Sequence, residues 1–168
     1  MEKWKQNNEY IELVKDISLN DEFKKLKKYK HHGDNRYDHS FRVSYYSYLI
    51  AKKFNLKTES IARAGLLHDF FLVNNQAISL KERIIVLIVH PKIALENSKR
   101  NFKLNELEEN IILSHMFPIY LVLPKHIESI IVNIVDDFIS IYERIFTIKN
   151  SIINKINRPI KECEKVNN

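Results

Sequence analysis

The sequence predicts an all-α fold, a single-domain helical bundle, on three observations. Its 168 residues are 45% hydrophobic, enough for one domain with a sizeable core and too apolar for a disordered chain. Only 2 Gly and 4 Pro are present, whereas an all-β fold of this length consumes both in its tight turns. In the longer segments apolar residues recur at spacings of three and four, the period of a helix with one buried face.

In chain order, residues from about Asn8 to Tyr29 read as one or two amphipathic helices, and Lys30 to Asn35 as a loop containing Gly33. A long helix follows from about Asp38 to Phe54, with Val43, Tyr46, Ile50 and Phe54 as its stripe. His39 precedes that stripe by one turn and so belongs at the N-terminal end of the buried face. The next helix, about Thr58 to Asp69, aligns Ile61, Ala64, Gly65 and His68, and Gly65 allows a neighbouring helix to come close. Ile84 to Val89 is β-branched enough for a strand. Lys81 to Arg83 nonetheless lead in smoothly and no partner strand is evident, so a helix is expected, broken or restarted by Pro91 just after His90.

Asn105-Glu106-Leu107-Glu108 forms a capping box for a helix on which Glu108, Ile111, Ile112 and His115 share a face. Pro118 and Pro124 bracket a loop. The last long helix is expected from about Lys125 to Ile148, with Ile127, Ile130, Ile134, Phe138, Ile141 and Ile145 facing the core. The chain thus divides into an N-terminal helical segment packed on the domain (1–29), the domain itself (30–148) and a polar C-terminal tail (149–168).

Charge and cysteine content narrow the function classes. The net charge is +6, but the lysines are spread out. The densest cluster, Lys24, Lys25, Lys27, Lys28 and Lys30, reads as a solvated helix face, which makes a nucleic-acid partner a minor reading. The longest strongly apolar run, Ile84 to Val89, is far too short to span a membrane, and Met1 to Tyr10 has no apolar signal core. The single Cys163 rules out a disulfide framework. These features point to a cytoplasmic protein without a membrane partner. His31, His32 and His126 read as surface residues. Trp4, Tyr45, Tyr46 and Tyr48 read as packing residues, not a base-stacking platform.

Chemistry enters with the adjacent pair His68-Asp69 and four further candidate ligands: His39, His90, His115 and Asp136. Imidazole nitrogens combined with carboxylate oxygens suit Fe, Mn, Zn, Ni or Co; Mg or Ca would call for an all-oxygen set. Six ligands exceed one tetrahedral zinc and suffice for two metal ions if a carboxylate bridges them. The chain has no G-x-S-x-G elbow, no Walker-type loop and no G-x-G-x-x-G. On the last helix, Asp136 and Asp137 compete for the final ligand position, and helical counting places Asp137 nearer the apolar stripe.

The order His39, His68-Asp69, His90, His115, Asp136 resembles the HD-domain superfamily of metal-dependent phosphohydrolases over roughly residues 30 to 145. Ala64-Gly65-Leu66-Leu67-His68-Asp69 resembles its core motif, and Arg36-Tyr37-Asp38-His39-Ser40 resembles the R-x-x-H-S opening of several of its nucleotide hydrolases. The resemblance implies an all-α fold in which His39, His68, Asp69 and Asp136 hold a first metal. His90 and His115 resemble the binuclear branch, which implies a second metal and a bridging, catalytic Asp69. It also takes Asp136 over Asp137 as the last ligand. The Arg matching Arg36 contacts substrate phosphate in relatives, and Lys92 is a second candidate for that contact. The G-Y-P element and nearby Lys of the cyclic-di-GMP phosphodiesterases are missing; Phe70 and Phe71 follow the pair instead.

The expected function is therefore metal-dependent hydrolysis of a phosphoester or phosphoanhydride in a small phosphorylated substrate, a nucleotide, by a metal-activated hydroxide. Two alternatives are a di-iron oxygenase of the same superfamily and a non-catalytic nucleotide-binding or sensor module.

Overall fold

The computed structural model describes residues 3–31, 34–73 and 79–166, and side chains as far as Ile153 apart from those of Lys30, His31 and Asp34. His32, Gly33 and the side chains of His31, Lys30 and Cys163, all named above, lie outside the described residues. Among the described residues the domain is built from eight α-helices, with one minimal pair of strands between the third and fourth.

The N-terminal segment breaks into short pieces where one or two helices were expected. A 3₁₀ turn, Lys3–Gln6, leads to α1 (Asn8–Leu13), α2 (Lys15–Leu19), α3 (Asp21–Lys24) and a second 3₁₀ turn, Lys25–Lys28. Asn residues punctuate it: Asn7 and Asn20 accept from the backbone N–H of Tyr10 and Phe23, which starts α1 and α3. Helices this short do not persist alone. They are held because Tyr10, Ile17, Phe23 and Leu26 are buried in the common core. Trp4 stacks on Phe41 at 4.0 Å, and the Tyr10 hydroxyl donates to Ser44 Oγ at 2.7 Å. Lys24 and Lys25 pair with Asp21 and Glu22 on the solvent side, as a solvated face requires.

Lys30 to Asn35, expected as a loop, closes into a two-residue antiparallel ladder, β1 (Lys30–His31) on β2 (Asp34–Asn35). Asn35 then caps α4 (Arg36–Lys53) by accepting from Asp38 N. On α4 the expected stripe is displaced: Val43 is buried, but Tyr46 and Phe54 are exposed. The inward face is instead His39, Ser40, Phe41, Val43, Ser44, Ser47, Tyr48 and Ala51. Small serines win there because α5 (Thr58–Leu67) packs closely on it. A Cβ on Gly65 would stand 3.0 Å from Ser44 Cα, so the close approach expected of Gly65 is present. Ser44 Oγ donates to Ala62 O at 2.6 Å, satisfying its hydroxyl inside that contact.

α6 (Leu80–Asn101) is a helix, capped by a Ser79–Glu82 box, and it runs through Pro91 without the expected break. α7 (Glu106–Ser114) starts at the expected Asn105–Glu108 box, with both reciprocal bonds made. α8 (Ile127–Val166) continues well beyond Ile148, through the segment read as a polar tail. α4 packs on α5 and α8, α5 on α7, and α7 on α6 and α8. No helix among the described residues is long and apolar enough to cross a membrane.

The largest departure concerns which face of α8 is buried. Ile127, Ile130, Ile134, Phe138, Ile141 and Ile145, expected to face the core, are 40% to 70% exposed. Among the described residues Glu128, Ser129, Val132, Val135, Asp136 and Glu143 are the buried ones of that helix. The domain therefore takes in the more polar side of α8, where the site's carboxylates stand.

Candidate metal centre

Three helices and the C-terminal ends of two others bring the six predicted ligands together. His39 sits in the first turn of α4, His68 and Asp69 just past α5, His90 in the middle of α6, His115 just past α7, and Asp136 on α8. Each side chain is buried. They form two groups of three, His39 with His68 and Asp136, and Asp69 with His90 and His115. Within each group the donor atoms lie within 4.8 Å of one another. The rings of His68 and His115, 5.0 Å apart, join the two groups.

The backbone prepares each imidazole. The last carbonyls of a helix lack intrahelical partners. His68 Nδ1 lies 2.8 Å from Gly65 O at the end of α5, and His115 Nδ1 lies 2.7 Å from Ile112 O at the end of α7. His90 has no helix end nearby, and Pro91 supplies an equivalent. Proline lacks the N–H that would bond to Leu87 O. His90 Nδ1 occupies that carbonyl at 2.9 Å. The same substitution explains why α6 passes through Pro91 without breaking. A carbonyl oxygen only accepts, so all three Nδ1 atoms carry hydrogen, and in the neutral ring each Nε2 presents a lone pair.

His39 Nδ1 finds its acceptor in a side chain that is not among the six predicted ligands. Its Nδ1 lies 3.1 Å from Glu143 Oε2, and Arg42 donates to the other Glu143 oxygen at 2.8 Å. A carboxylate behind a histidine in this way fixes its tautomer and orientation for a metal. Glu143 lies two helical turns beyond Asp136, on the same face of α8. Assigning the core to the opposite, isoleucine-rich face concealed it.

Toward the centre, lone pairs face lone pairs. His39 Nε2 is 3.0 Å from Asp136 Oδ1, and His90 Nε2 is 3.0 Å from His115 Nε2. Asp69 Oδ1 is 3.3 Å from His90 Nε2 and 3.7 Å from His115 Nε2. Such contacts require cations between them. A proton can fill the His39–Asp136 contact. His68 Nε2 is different: it is 3.6 Å from Asp136 Oδ1, buried, and without a hydrogen-bond partner among the described residues. Nitrogen and oxygen donors converging around an orphaned, buried Nε2 fit a divalent transition metal.

The electrostatics agree with a cation-seeking centre. Burial pushes the His39 imidazole down, but hydrogen bonds to Asp136 and Glu143 outweigh it and raise it to about 10. Burial likewise opposes the charge on His68, and the nearby Asp136 carboxylate reverses the balance upward. Burial would raise Asp136, yet His68 and His39 hold it well below the usual carboxylate range. In the second group, burial followed by the charges of His68 and His90 drives His115 down to about 3. Burial also lowers His90. Those two rings stay neutral and keep their lone pairs for a metal.

The remaining predicted positions divide. Arg36 is fully buried, with its guanidinium 3.6 Å over the Phe71 ring and Nη1 donating to Phe71 O at 2.6 Å. Its Nε lies 3.8 Å from Asp69 Oδ2 and has no hydrogen-bond partner among the described residues. The resemblance takes this arginine to a substrate phosphate; the structure buries it beside Asp69. Lys92, the second phosphate candidate, is exposed. Two residues past His90 is about 200° round the helix, away from the buried histidine. Asp136 is buried in the cluster and Asp137 is exposed, the reverse of what counting from the apolar stripe indicates. His126 is exposed, as expected.

Two asparagines fix the turns that carry the ligands. Asn97 of α6 donates to Phe70 O at 3.0 Å, just after Asp69, and Asn133 of α8 donates to the carbonyls of His115 and Phe117. A family model described as HD domain matches residues 36–140, well over half of the chain and all six clustered residues. No curated protein matches the chain, and no solved structure does.

Proposed function

The chain belongs to the HD-domain family, and we propose that it is a metal-dependent hydrolase of phosphoester or phosphoanhydride bonds in a nucleotide. The HD domain marks a superfamily of metal-dependent phosphohydrolases. The observation that carries the proposal is the paired set of donors, His39-His68-Asp136 and Asp69-His90-His115, gathered around a His68 Nε2 without a hydrogen-bond partner among the described residues. These would hold two metal ions, one for each group.

When bound, such ions lower the pKa of a water and neutralise charge on phosphate oxygens. The protein's own residues do the rest. Glu143 holds His39, and three helix carbonyls hold His68, His90 and His115, so the donors need no rearrangement. Asp69, flanked by His90 and Arg36, would accept the proton of the attacking water. Arg36, buried beside Asp69, would supply a fixed positive charge there, with an Nε that has no hydrogen-bond partner among the described residues available to donate. Burial of the whole cluster excludes bulk water, which strengthens each of these interactions.

Elemental analysis of the purified full chain, followed by phosphate release across a nucleotide panel, tests this reading. Bound Mn, Fe, Co, Ni or Zn is expected, with phosphate release that chelation abolishes. Asp69→Ala should lose both metal and turnover. No metal and no phosphate release after addition of Mn or Fe would overturn the proposal. Oxygen consumption without phosphate release would transfer the site to di-iron oxygenase chemistry.

A further inference from the structure

We propose that the outward face of α8 is a self-complementary coiled-coil seam through which two copies of this chain pair antiparallel. The exposed residues of that face follow a heptad. Ile131, Phe138, Ile145 and Ile152 stand at one set of seventh positions, and Ile127, Ile134, Ile141 and Ile148 at the other. The alternating steps of four and three are the 3.5-residue repeat that makes helices supercoil around each other. Apart from Ile131, which is half-buried against the core, they are 47% to 70% exposed, far more than a folded domain leaves uncovered along one face without a use. From Ile127 to Ile152 the seam is about 38 Å long at the helical rise per residue.

The occupant follows from the arrangement of the seam. In an antiparallel pair, first-position residues of one copy meet fourth-position residues of the other. With Phe138 opposite Ile141 of the second copy, Ile134 meets its Ile145, Ile131 its Ile148, and Ile127 its Ile152. The stripe therefore begins and ends in register with itself, as a two-fold interface demands. The flanking charges choose the same direction. Antiparallel pairing brings Asp137 beside Arg144 of the second copy, twice by symmetry. Parallel pairing would put Arg144 beside Lys149 of the second copy, a like-charge contact. The seam also borders a groove of about 690 Å³ that Trp4, Tyr45, Tyr46 and Ile50 line together with Phe138 and Tyr142, which widens the apolar bed. None of these residues is among the six clustered donors, so the proposal does not depend on the metal reading.

Sedimentation equilibrium of the full chain under reducing conditions tests it. A mass twice 20.1 kDa is expected. Ile141→Asp should reduce it to the single-chain mass while the far-UV helix signal and metal content stay unchanged. Should that variant lose helix, Ile148→Asp, one heptad further along, makes the same test. Asp137→Arg and Arg144→Asp should each weaken the pair about tenfold, since each creates two like-charge contacts. The double variant should return to the parent affinity, because residues two turns apart on one helix can exchange charges only across the seam. A single-chain mass at about 100 μM, above the dissociation constants of weak dimers, would overturn the proposal. So would a dimer that survives both isoleucine variants, or a charge exchange that fails to restore pairing.

Discussion

The two faces of α8 invert the usual relation between composition and burial. The outward face carries Ile134, Phe138, Ile141 and Ile145 in the open, and the inward face buries Asp136 and Glu143 alongside Val132 and Val135. Burying carboxylates is unfavourable unless each is paired. Here Asp136 is paired with His39, and Glu143 with both His39 and Arg42. The inward face is thus selected by what it can hold, and the outward one by what it can meet. Hydrophobic patterning reports only that a face wants covering. It does not say whether the cover is the domain's own core.

The contrast breaks first at Asp136. Asp136→Ala removes the only carboxylate of its donor group and leaves two buried imidazoles to hold a cation. Turnover should fall by more than the about 10- to 100-fold that loss of an outer partner causes. Metal content should fall with it; retained metal would place the last ligand elsewhere. The next largest effect is on folding. Val132→Asp puts an unpaired charge at a fully buried position and should cost at least about 3 kcal/mol in urea unfolding. An unchanged midpoint would mean that this face is not the buried one.

How much of this was legible beforehand depended on the kind of signal. The ligand order and the R-x-x-H-S and His-Asp motifs located all six clustered residues, because spacing survives in the sequence whatever the helices do. Gly65 and the Asn105–Glu108 box were legible because each acts within one turn or one contact. The stripes on α4 and α8 misled, since periodicity cannot distinguish a core face from a face left open. That one inversion also pointed to Asp137 and concealed Glu143. Pro91 misled for a different reason. Its missing N–H is a defect for a helix alone, but here it releases the carbonyl that orients His90.

Glu143 sharpens the comparison on the inward side. Glu143→Ala leaves His39 Nδ1 without its acceptor, and metal affinity should drop about 10- to 100-fold. Glu143→Gln keeps an oxygen that can accept from Nδ1 and should recover part of the loss. Competitive chelation of the two variants measures both. Equal losses would mean that the negative charge of Glu143, not its acceptor, matters to the site.

The smallest effect belongs to the outward face and completes the contrast. Ile145 is 61% exposed, so replacing it removes little buried area from the protomer. Ile145→Asp should change protomer stability by less than about 0.5 kcal/mol when unfolding is followed in dilute protein, where pairing between copies contributes nothing. Asp is a weaker helix former than Ile only by a few tenths of a kcal/mol, which lies inside that margin. The same substitution at Val132 is expected to be at least about six times more costly. Comparable losses at the two positions would mean that the isoleucine stripe packs within the chain after all.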